Sequence, residues 1–477
     1  MALLQTLNGL LWGPAGVGLL AGAGLWLTVR CGFFPLRRAG LWLRATLGAL
    51  LRGSPDLARA APGAVSPFGS LCTALGATIG TGSVAGVAAA LISGGPGAVF
   101  WMWVTALLGM STAYAENLLA LRWRRRVGGR WLGGPMYYLA DGLGSRPGCR
   151  RLGRALGALY AALCLLASFG IGNLSQSSAI ALSLQSAFGL PPAAVGLALA
   201  GATALVVRRG GQGVADAAAR LVPLMAAFYL TGTALVALLH IEAVPAAFGA
   251  IFRGAFGLRA AGGGAVGYGV AAAVRWGCAR GSFSSEAGLG SAAIAAGSAA
   301  TGQPVQQGMW GIFQVFVSTF AVCTMTALAI LTAGLVDLDT GRMVSPSPAP
   351  ALPGEAFAAA FGPAGPALAA GAVLLFAWSS ILGWCQYGAV CWGYLFGAKT
   401  AWAYRLAFLA LLPAGAVAGF SAAWGVSDLF NGLMMLPNLV GLLALSGQVR
   451  AETDAYLARR APQRSKQKSA RSRRRSG

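Results

Sequence analysis

Charged side chains are scarce in this chain: they make up 10% of the 477 residues, whereas an average soluble protein has about 25%. Hydrophobic residues account for 57% and mean hydropathy is +0.68, so water cannot be the main solvent. The 71 glycines follow no Gly-X-Y repeat, which excludes collagen. The apolar runs are continuous rather than alternating, which argues against a β-barrel. The composition therefore predicts an all-α, polytopic membrane protein.

Residues that carry enzymatic or metal chemistry are also rare. The single histidine, His240, lies at the edge of an apolar segment, and the eight cysteines show no metal-binding spacing. The sequence contains no P-loop, no His-Glu-x-x-His pair and no nucleophile elbow. We therefore predict that the protein is not an enzyme. Residues 1–11 carry no basic region, so we also expect no removable signal peptide.

Long apolar runs separated by charged breaks predict about eleven transmembrane helices, since roughly 20 apolar residues cross a bilayer. The predicted spans cover residues 14–34, 66–93, 97–121, 155–188, 192–207, 220–241, 264–292, 308–333, 365–396, 402–421 and 428–446. The first of them forms an extra N-terminal helix within residues 1–34. Residues 35–65 mix arginine with leucine and tryptophan, which predicts an amphipathic helix on the inner membrane surface.

The distribution of positive charge predicts the orientation. The net charge is +23, and most of the 35 Lys and Arg residues fall in loops on one side of the membrane and in the tail at 447–477. The opposite side has Arg253, Arg259 and Arg342. Because basic residues collect in cytoplasmic loops, we predict a plasma-membrane protein with an external N-terminus and a cytoplasmic C-terminus. The same placement argues against binding to nucleic acid.

Two spans contain segments that are too glycine-rich and polar for continuous helices facing lipid. The second span has three glycines in residues 76–82, and the seventh has three in residues 281–290 around the carboxylate of Glu286. The second span starts inside and the seventh outside. Residues 66–241 and 264–446 therefore predict two five-helix units of opposite topology, a 5+5 inverted repeat with two discontinuous helices. Small residues that only allow close helix packing are the alternative.

Several motifs resemble those of the alanine or glycine:cation symporter family, in the same order from residue 14 to 447. They begin at Ser66 (SPFGSLCTALGATIGTG), Gly94 (GGPGAVFWMWVTA), Gly134 (GPMYY), Arg280 (RGSFSSEAGLGS), Pro304 (PVQQGMWGIF), Val322 (VCTMTAL) and Ile381 (ILGW). The resemblance implies the fold of the amino acid, polyamine and organocation superfamily. It also implies Na⁺-driven uptake of a small neutral amino acid, typically alanine or glycine.

The break in the second span is predicted to bind the carboxylate end of a zwitterionic substrate. Its backbone is supplied by Thr78, Ile79, Gly80, Thr81 and Gly82. Glycine permits a ligand to approach the backbone, and the start of a half-helix carries partial positive charge.

Side chains of two other spans are candidates for the same substrate site. Asn173 and Gln176 share one face of the fourth span, and the resemblance implies a substrate-binding role for Gln176 and, less strongly, for Asn173. Hydrogen bonding between helices is the alternative. In the seventh span, Phe283 is predicted to cover the pocket, while Ser284 and Ser285 offer hydroxyls. Phenylalanine as ordinary core filling is the alternative there.

The ninth span predicts a cation site. Ser379 and Ser380 provide consecutive hydroxyls, and a hard cation such as Na⁺ prefers five or six oxygen ligands. The carbonyls of Gly76 and Ile79 are predicted to complete the site. Ser380 and Trp384 are also expected near the substrate. Serines that hydrogen-bond only to their own helix are the alternative.

Glu286 is the most informative acid, because a carboxylate inside an apolar span needs a partner, a cation or a proton. It either has a structural role, by capping free amides or pairing with Arg280, or it serves as a proton site or as a counter-charge for a substrate ammonium. Glu116 and Asp428 also fall in or at the edges of apolar spans. We expect these two acids to be interfacial or structural.

The chain departs from the pattern of the family at three positions where asparagine is usual, Ser83, Ser178 and Ser285. The charged pair expected after the Tyr-Gly dipeptide at 387–388 is replaced by Ala389 and Val390. A hydroxyl reaches less far than an amide, so a second cation site that uses Ser83 would be weakened or lost. Substrate preference is expected to change as well.

These features predict a secondary active transporter that couples a cation, Na⁺ in the first instance, to symport of a small neutral amino acid by alternating access. Its partners are the amino acid and the lipid bilayer. An H⁺-coupled amino-acid transporter and a non-transporting nutrient sensor on the same fold are the alternatives. The oligomeric state is not predicted.

Overall fold

The computed structural model describes residues 2–59, 61–257, 265–418 and 420–473. Its N-terminal part has two helices followed by four short ones: α1 (Ala2–Leu11), α2 (Pro14–Arg30), α3 (Phe34–Arg37), α4 (Ala39–Ala45), α5 (Leu47–Leu51) and α6 (Pro55–Ala58). Proline begins α2 because the first helical position needs no N–H donor. The segment 35–65, predicted as one amphipathic helix, is therefore a series of short helices. Its location on the membrane surface stays a prediction.

The first half of the helical body has nine helices: α7 (Pro67–Thr78), α8 (Thr81–Gly94), α9 (Gly97–Arg122), α10 (Pro135–Tyr137), α11 (Arg150–Phe169), α12 (Ser175–Phe188), α13 (Pro192–Val207), α14 (Gly210–Leu239) and α15 (Val244–Phe256). An antiparallel hairpin of β1 (Arg125–Val127) and β2 (Arg130–Leu132) follows α9. π-helical turns occupy Tyr138–Leu143 and Gly170–Leu174, and a 3₁₀ turn occupies Ile241–Ala243.

The second half contains α16 (Ala265–Ser285), α17 (Ala292–Gly297), α18 (Pro304–Val315), α19 (Thr324–Thr332), α20 (Leu352–Phe361), α21 (Gly365–Phe396), α22 (Ala401–Val417) and α23 (Phe420–Arg473). A π-helical turn at Phe316–Cys323 joins α18 to α19, and 3₁₀ turns lie at Gly362–Ala364 and Ala398–Thr400. Arg259, predicted in an outer loop, lies outside the described residues.

The prediction of a helical membrane protein is confirmed. Nine helical segments among the described residues are long and apolar enough to cross a membrane. The two remaining predicted spans correspond to α13, which has 16 residues, and α16, which has 21. The total of eleven spans and the 5+5 repeat stay predictions.

Both predicted interruptions are present in the structure. The first lies between the end of α7 at Thr78 and the start of α8 at Thr81. The second lies between the end of α16 at Ser285 and the start of α17 at Ala292. α8 packs against α16, and α7 packs against α17, so each half of the first broken helix lies beside the opposite half of the second.

Candidate substrate and cation site

The first break consists of Ile79 and Gly80. Ile79 has φ −85° and ψ 74°, and Gly80 has φ −112° and ψ −149°, so neither residue continues the helix. Both residues are buried inside the protein. Backbone groups that leave the helical ladder at membrane depth are therefore surrounded by protein rather than by lipid.

Gln176 of α12 contacts the first break. A π-helical turn precedes α12, and the carbonyl of Ile171 in this turn accepts a hydrogen bond from Gln176 Nε2 at 2.9 Å. This bond directs Gln176 Oε1 toward α8, where it accepts from the backbone N–H of Thr81 at 3.3 Å. The structure thus brings together two of the predicted substrate-binding residues. A π-turn at this point is typical of functional positions in helices.

Asn173 makes a different contact. Its Nδ2 donates to the carbonyl of Phe408 on α22 at 2.6 Å. This is the hydrogen bond between helices that the sequence left open as the alternative. Among the described residues, Asn173 Oδ1 has no hydrogen-bond partner.

The two predicted cation-binding serines of α21 lie against α7. Ser380 Oγ donates to the carbonyls of Gly76 at 2.9 Å and Ala77 at 3.0 Å. Ser379 Oγ donates to Gly76 O at 3.1 Å and to Phe376 O of its own helix at 2.8 Å. Both serines are buried. Three predicted ligands, Gly76, Ser379 and Ser380, therefore meet, although Ser379 also shows the expected alternative of bonding to its own helix.

Gly80 is the point where α12 and α21 converge on the first break. A Cβ atom added to Gly80 would overlap Ser380 Oγ and would lie 3.2 Å from Gln176 Oε1. Any side chain at this position would displace one of these two polar groups. The glycine therefore keeps open the space between the candidate cation ligands and the start of α8.

α16 covers the first break from the other side. A Cβ atom added to Gly82 would lie 2.9 Å from Phe283 Cδ1 and 3.8 Å from Ser284 Cα. Phe283 is buried and packs edge-on against Trp12, with 6.4 Å between ring centroids. Ser284 Oγ donates to the carbonyl of Gly281 at 3.2 Å. Phe283 and Ser284 thus both adjoin the glycine-rich start of α8.

The remaining predicted positions surround this centre. Thr78 Oγ1 accepts from Gln314 Nε2 at 2.8 Å at the end of α7. The backbone carbonyl of Ser83 accepts from Thr326 Oγ1 at 3.1 Å. Trp384 is fully buried on α21, with its ring centroid 5.6 Å from that of a neighbouring tyrosine. A second cation site at Ser83 stays a prediction.

The second break has an unusual backbone. Glu286 has φ +55°, a conformation that residues other than glycine rarely adopt, and Gly288 and Gly290 have φ +91° and +77°. Glu286 Oε2 accepts a hydrogen bond from Ser291 Oγ at 2.6 Å. This contact joins the two ends of the second break. It fits the prediction that Glu286 has a structural role.

The proposed pairing of Glu286 with Arg280 is not what the structure shows. The Arg280 guanidinium lies 3.4 Å from the carboxylate of Asp428 on α23, and both side chains are nearly buried. Asp428 is therefore part of an ion pair between α16 and α23.

Three buried side chains that the sequence did not assign to the site support the second break. Glu116 Oε1 on α9 accepts from the backbone N–H of Gly288 at 3.0 Å and from Asn438 Nδ2 at 2.7 Å. Asn438 Nδ2 also donates to Gly288 O at 2.9 Å, and Tyr160 OH donates to Leu289 O at 3.0 Å. These three residues could have been found in the sequence as polar side chains within apolar runs. The contacts of Glu116 agree with the structural role that we expected for it.

A cavity of about 630 Å³ adjoins α7 of the first broken helix and α17 of the second. Thr73 of α7 and Ile294 of α17 line it. Between the cavity and the first break, α21 packs tightly on α7: a Cβ atom added to Gly383 would lie 2.7 Å from Ala77 Cβ and 3.2 Å from Thr73 O. The cavity is therefore separated from the candidate site by close backbone contact.

Two broken helices that lie side by side, with buried polar groups at the breaks, are typical of secondary transporters. The family model described as the sodium:alanine symporter family matches residues 1–471. The chain is 40% identical over 463 residues to the sodium/alanine symporter AgcS of Methanococcus maripaludis, covering 96% of this chain and 97% of that relative.

Two relatives from Bacillus subtilis are also similar. The probable sodium/glutamine symporter GlnT is 34% identical over 447 residues, covering 92% of this chain and 87% of that relative. The putative sodium/proton-dependent alanine carrier protein YrbD is 31% identical over 454 residues, covering 93% and 90%. The chain belongs to the sodium:alanine symporter family. It is accordingly a membrane transporter for amino-acid symport and not an enzyme.

Proposed function

We propose that the protein is a Na⁺-coupled symporter that takes up a small neutral amino acid, such as alanine or glycine, by alternating access. The observation that carries this proposal is the meeting of Ser379, Ser380 and Gly76 O beside the first break. These are neutral oxygens of the kind that a hard monovalent cation prefers, and no net charge has to be buried to assemble them.

The cation and the substrate are expected to share Ser380. Na⁺ bound between α7 and α21 replaces the hydrogen bonds that the serine hydroxyls now make to the carbonyls. The substrate carboxylate binds the start of α8, where the half-helix carries roughly +0.5 of a charge. It displaces Gln176 Oε1 from the N–H of Thr81, a bond that is long at 3.3 Å. The released oxygen then accepts from the ammonium group.

Phe283 and Trp384 enclose this site in the proposal. Phe283 adjoins Gly82 and separates the first break from the ion pair of Arg280 and Asp428. A small substrate fits because the space around Gly80 is narrow. The basic residues that line the cavity next to α7 and α17 support an inward exit there and a cytoplasmic C-terminus.

Coupling to protons is the second candidate, and two buried carboxylates favour it. Glu116 and Glu286 both contact the second break, and each accepts hydrogen bonds from uncharged donors. A carboxylate without a cationic partner at membrane depth is a natural proton carrier. The relative YrbD is described as a putative sodium/proton-dependent alanine carrier, which is consistent with this candidate.

Uptake of labelled alanine into proteoliposomes tests the proposal. We expect fast uptake with an inward Na⁺ gradient and slow uptake with a pH gradient or with no gradient. Uptake driven by the pH gradient alone would support the proton candidate, and equal uptake in all three conditions would refute coupling. Counterflow of labelled alanine without a gradient distinguishes a carrier from a sensor.

A pair of serine variants tests the site itself. Ser380→Ala is expected to abolish stimulation by Na⁺, because it removes an oxygen shared by cation and substrate. Ser186→Ala, at an exposed position near the end of α12, is the matched control and should behave like the wild type. Normal stimulation by Na⁺ in Ser380→Ala would place the cation elsewhere.

A further inference from the structure

The cavity next to α7 and α17 carries positive charge that the transport proposal does not use. Arg130 of β2, Lys399 in the turn before α22 and Arg405 of α22 line it. Among the described residues, no aspartate or glutamate lines the cavity. A cavity with three cationic side chains and no carboxylate attracts anions.

The guanidinium groups of Arg130 and Arg405 both lie close to the start of α14. A Cβ atom added to Gly210, the first residue of α14, would lie 3.1 Å from Arg130 Nη1 and 3.6 Å from Arg405 Nη2. Within the described part of the chain, neither arginine forms an ion pair with a carboxylate. Asp216, six residues further along α14, is already engaged by Arg209 at 3.4 Å and by Gln212 Nε2 at 2.9 Å.

An uncharged donor lies beside the two arginines. Gln386 Nε2 of α21 is close to the same turn of α14, since a Cβ atom added to Gly211 would lie 2.8 Å from it. The site thus combines two guanidinium groups, one ammonium and one amide N–H donor. Paired guanidinium groups bind oxyanions with short, charge-assisted hydrogen bonds.

The charge of the cavity selects between anions. A zwitterionic amino acid would bring its ammonium into a space that holds three cations and, in the described residues, no carboxylate. A phosphate-class oxyanion has no such group and can contact both arginines at once. The transported amino acid is therefore a poor ligand for this site.

We propose that a phosphate-class oxyanion binds between Arg130 and Arg405, with Lys399 and Gln386 at its edge, and that its binding slows transport. The anion would occupy the cavity through which the amino acid leaves, so the second clause depends on the proposed function. The binding itself does not. The phosphate group can belong to a free anion or to the headgroup of an anionic lipid, and the chemistry of recognition is the same.

Binding is measured on the purified full-length protein in neutral detergent, at constant ionic strength, by titration with inorganic phosphate. Trp131 and Trp402 line the same cavity, so their fluorescence is the readout. We expect a saturable change whose affinity falls on the order of tenfold or more in the double variant Arg130→Gln/Arg405→Gln. Lys399→Gln, which leaves both arginines in place, should weaken binding less.

Arg126→Gln is the matched control, since Arg126 lies on the same hairpin as Arg130 but does not line the cavity. It should bind phosphate like the wild type. No saturable change in the wild type, or an equal affinity in the double variant and the wild type, would overturn the site. Because fluorescence reports phosphate binding without any transport, this test of the site remains valid even if alanine is not the substrate.

Two further measurements identify the source and the consequence. Phosphate binding is measured in nanodiscs of phosphatidylcholine, with and without added phosphatidylglycerol. If phosphatidylglycerol abolishes the binding, its headgroup occupies the site; if the binding is unchanged, the ligand is a free anion. Phosphate inside proteoliposomes should slow alanine uptake by the wild type but not by Arg130→Gln/Arg405→Gln. Equal slowing in both, or none in either, would overturn the inhibitory role.

Discussion

Substitution of Gly80 by alanine is the sharpest perturbation of the candidate site. The new Cβ atom would overlap Ser380 Oγ, which then has to leave its hydrogen bonds to Gly76 O at 2.9 Å and Ala77 O at 3.0 Å. The single hydroxyl proton is shared between the two carbonyls, so together these contacts contribute roughly 1 kcal/mol, and overpacking costs about 1–3 kcal/mol. A total of about 3 kcal/mol corresponds to a loss of roughly 100-fold in the population that binds cation and substrate.

The assay is Na⁺-dependent alanine uptake in proteoliposomes, normalised to the amount of folded protein. Gly86→Ala is the matched control, because it lies on the same helix α8 and its Cβ atom would meet nothing closer than Arg280 Cδ at 4.0 Å. We expect Gly80→Ala to lose uptake by about two orders of magnitude and Gly86→Ala to retain it. Retention of wild-type uptake by Gly80→Ala would refute the placement of the site at the first break.

Three further substitutions test other parts of the structure. Gln176→Leu should raise the KM for alanine on the order of tenfold, because the ammonium loses an acceptor; an unchanged KM would exclude that contact. Glu116→Ala leaves a buried N–H unpaired and should lower the free energy of unfolding by about 1–3 kcal/mol in thermal melts, whereas Glu242→Ala, at an exposed position, should not. Hydrogen bonds from Thr340 and nearby backbone N–H groups lower the pKa of Asp337, so the turn is stabilised above the unfolded-state pKa and loses this stabilisation as the pH falls through the folded-state pKa. Asp337→Asn should therefore speed amide exchange at Thr340 at neutral pH, and unchanged exchange would contradict this.

The positions of the breaks could be predicted from the sequence because their causes are local. Closely spaced glycines weaken a helix wherever they occur, and the first break lies at Gly80, inside the predicted segment. The contact between Ser380 and Gly76 could be anticipated as well, since both residues were predicted as ligands of the same cation site.

The partners of several polar residues could not be predicted, because they depend on packing between distant parts of the chain. Asn173 bonds to a carbonyl 235 residues away, and Arg280 pairs with Asp428 rather than with the nearer Glu286. The π-helical turn that orients Gln176 has no clear sequence signal, since it differs from an α-helix by a single extra residue.

The hydrogen bonds at the two breaks fall into two sets, and the proposed alternating access would change only one of them. α9 packs along α16 and α18, so the bond from Gly288 N–H to Glu116 lies within one group of helices and would be retained if that group moved as one body. The bonds of Thr81 to Gln176 and of Gly76 to Ser380 instead join the first broken helix to α12 and α21. These are the bonds that a cation and a substrate would replace. In the proposed mechanism, ligands bound there would hold the two groups together more strongly than the empty site does, and this difference would be the physical basis for coupling ligand binding to a change of access.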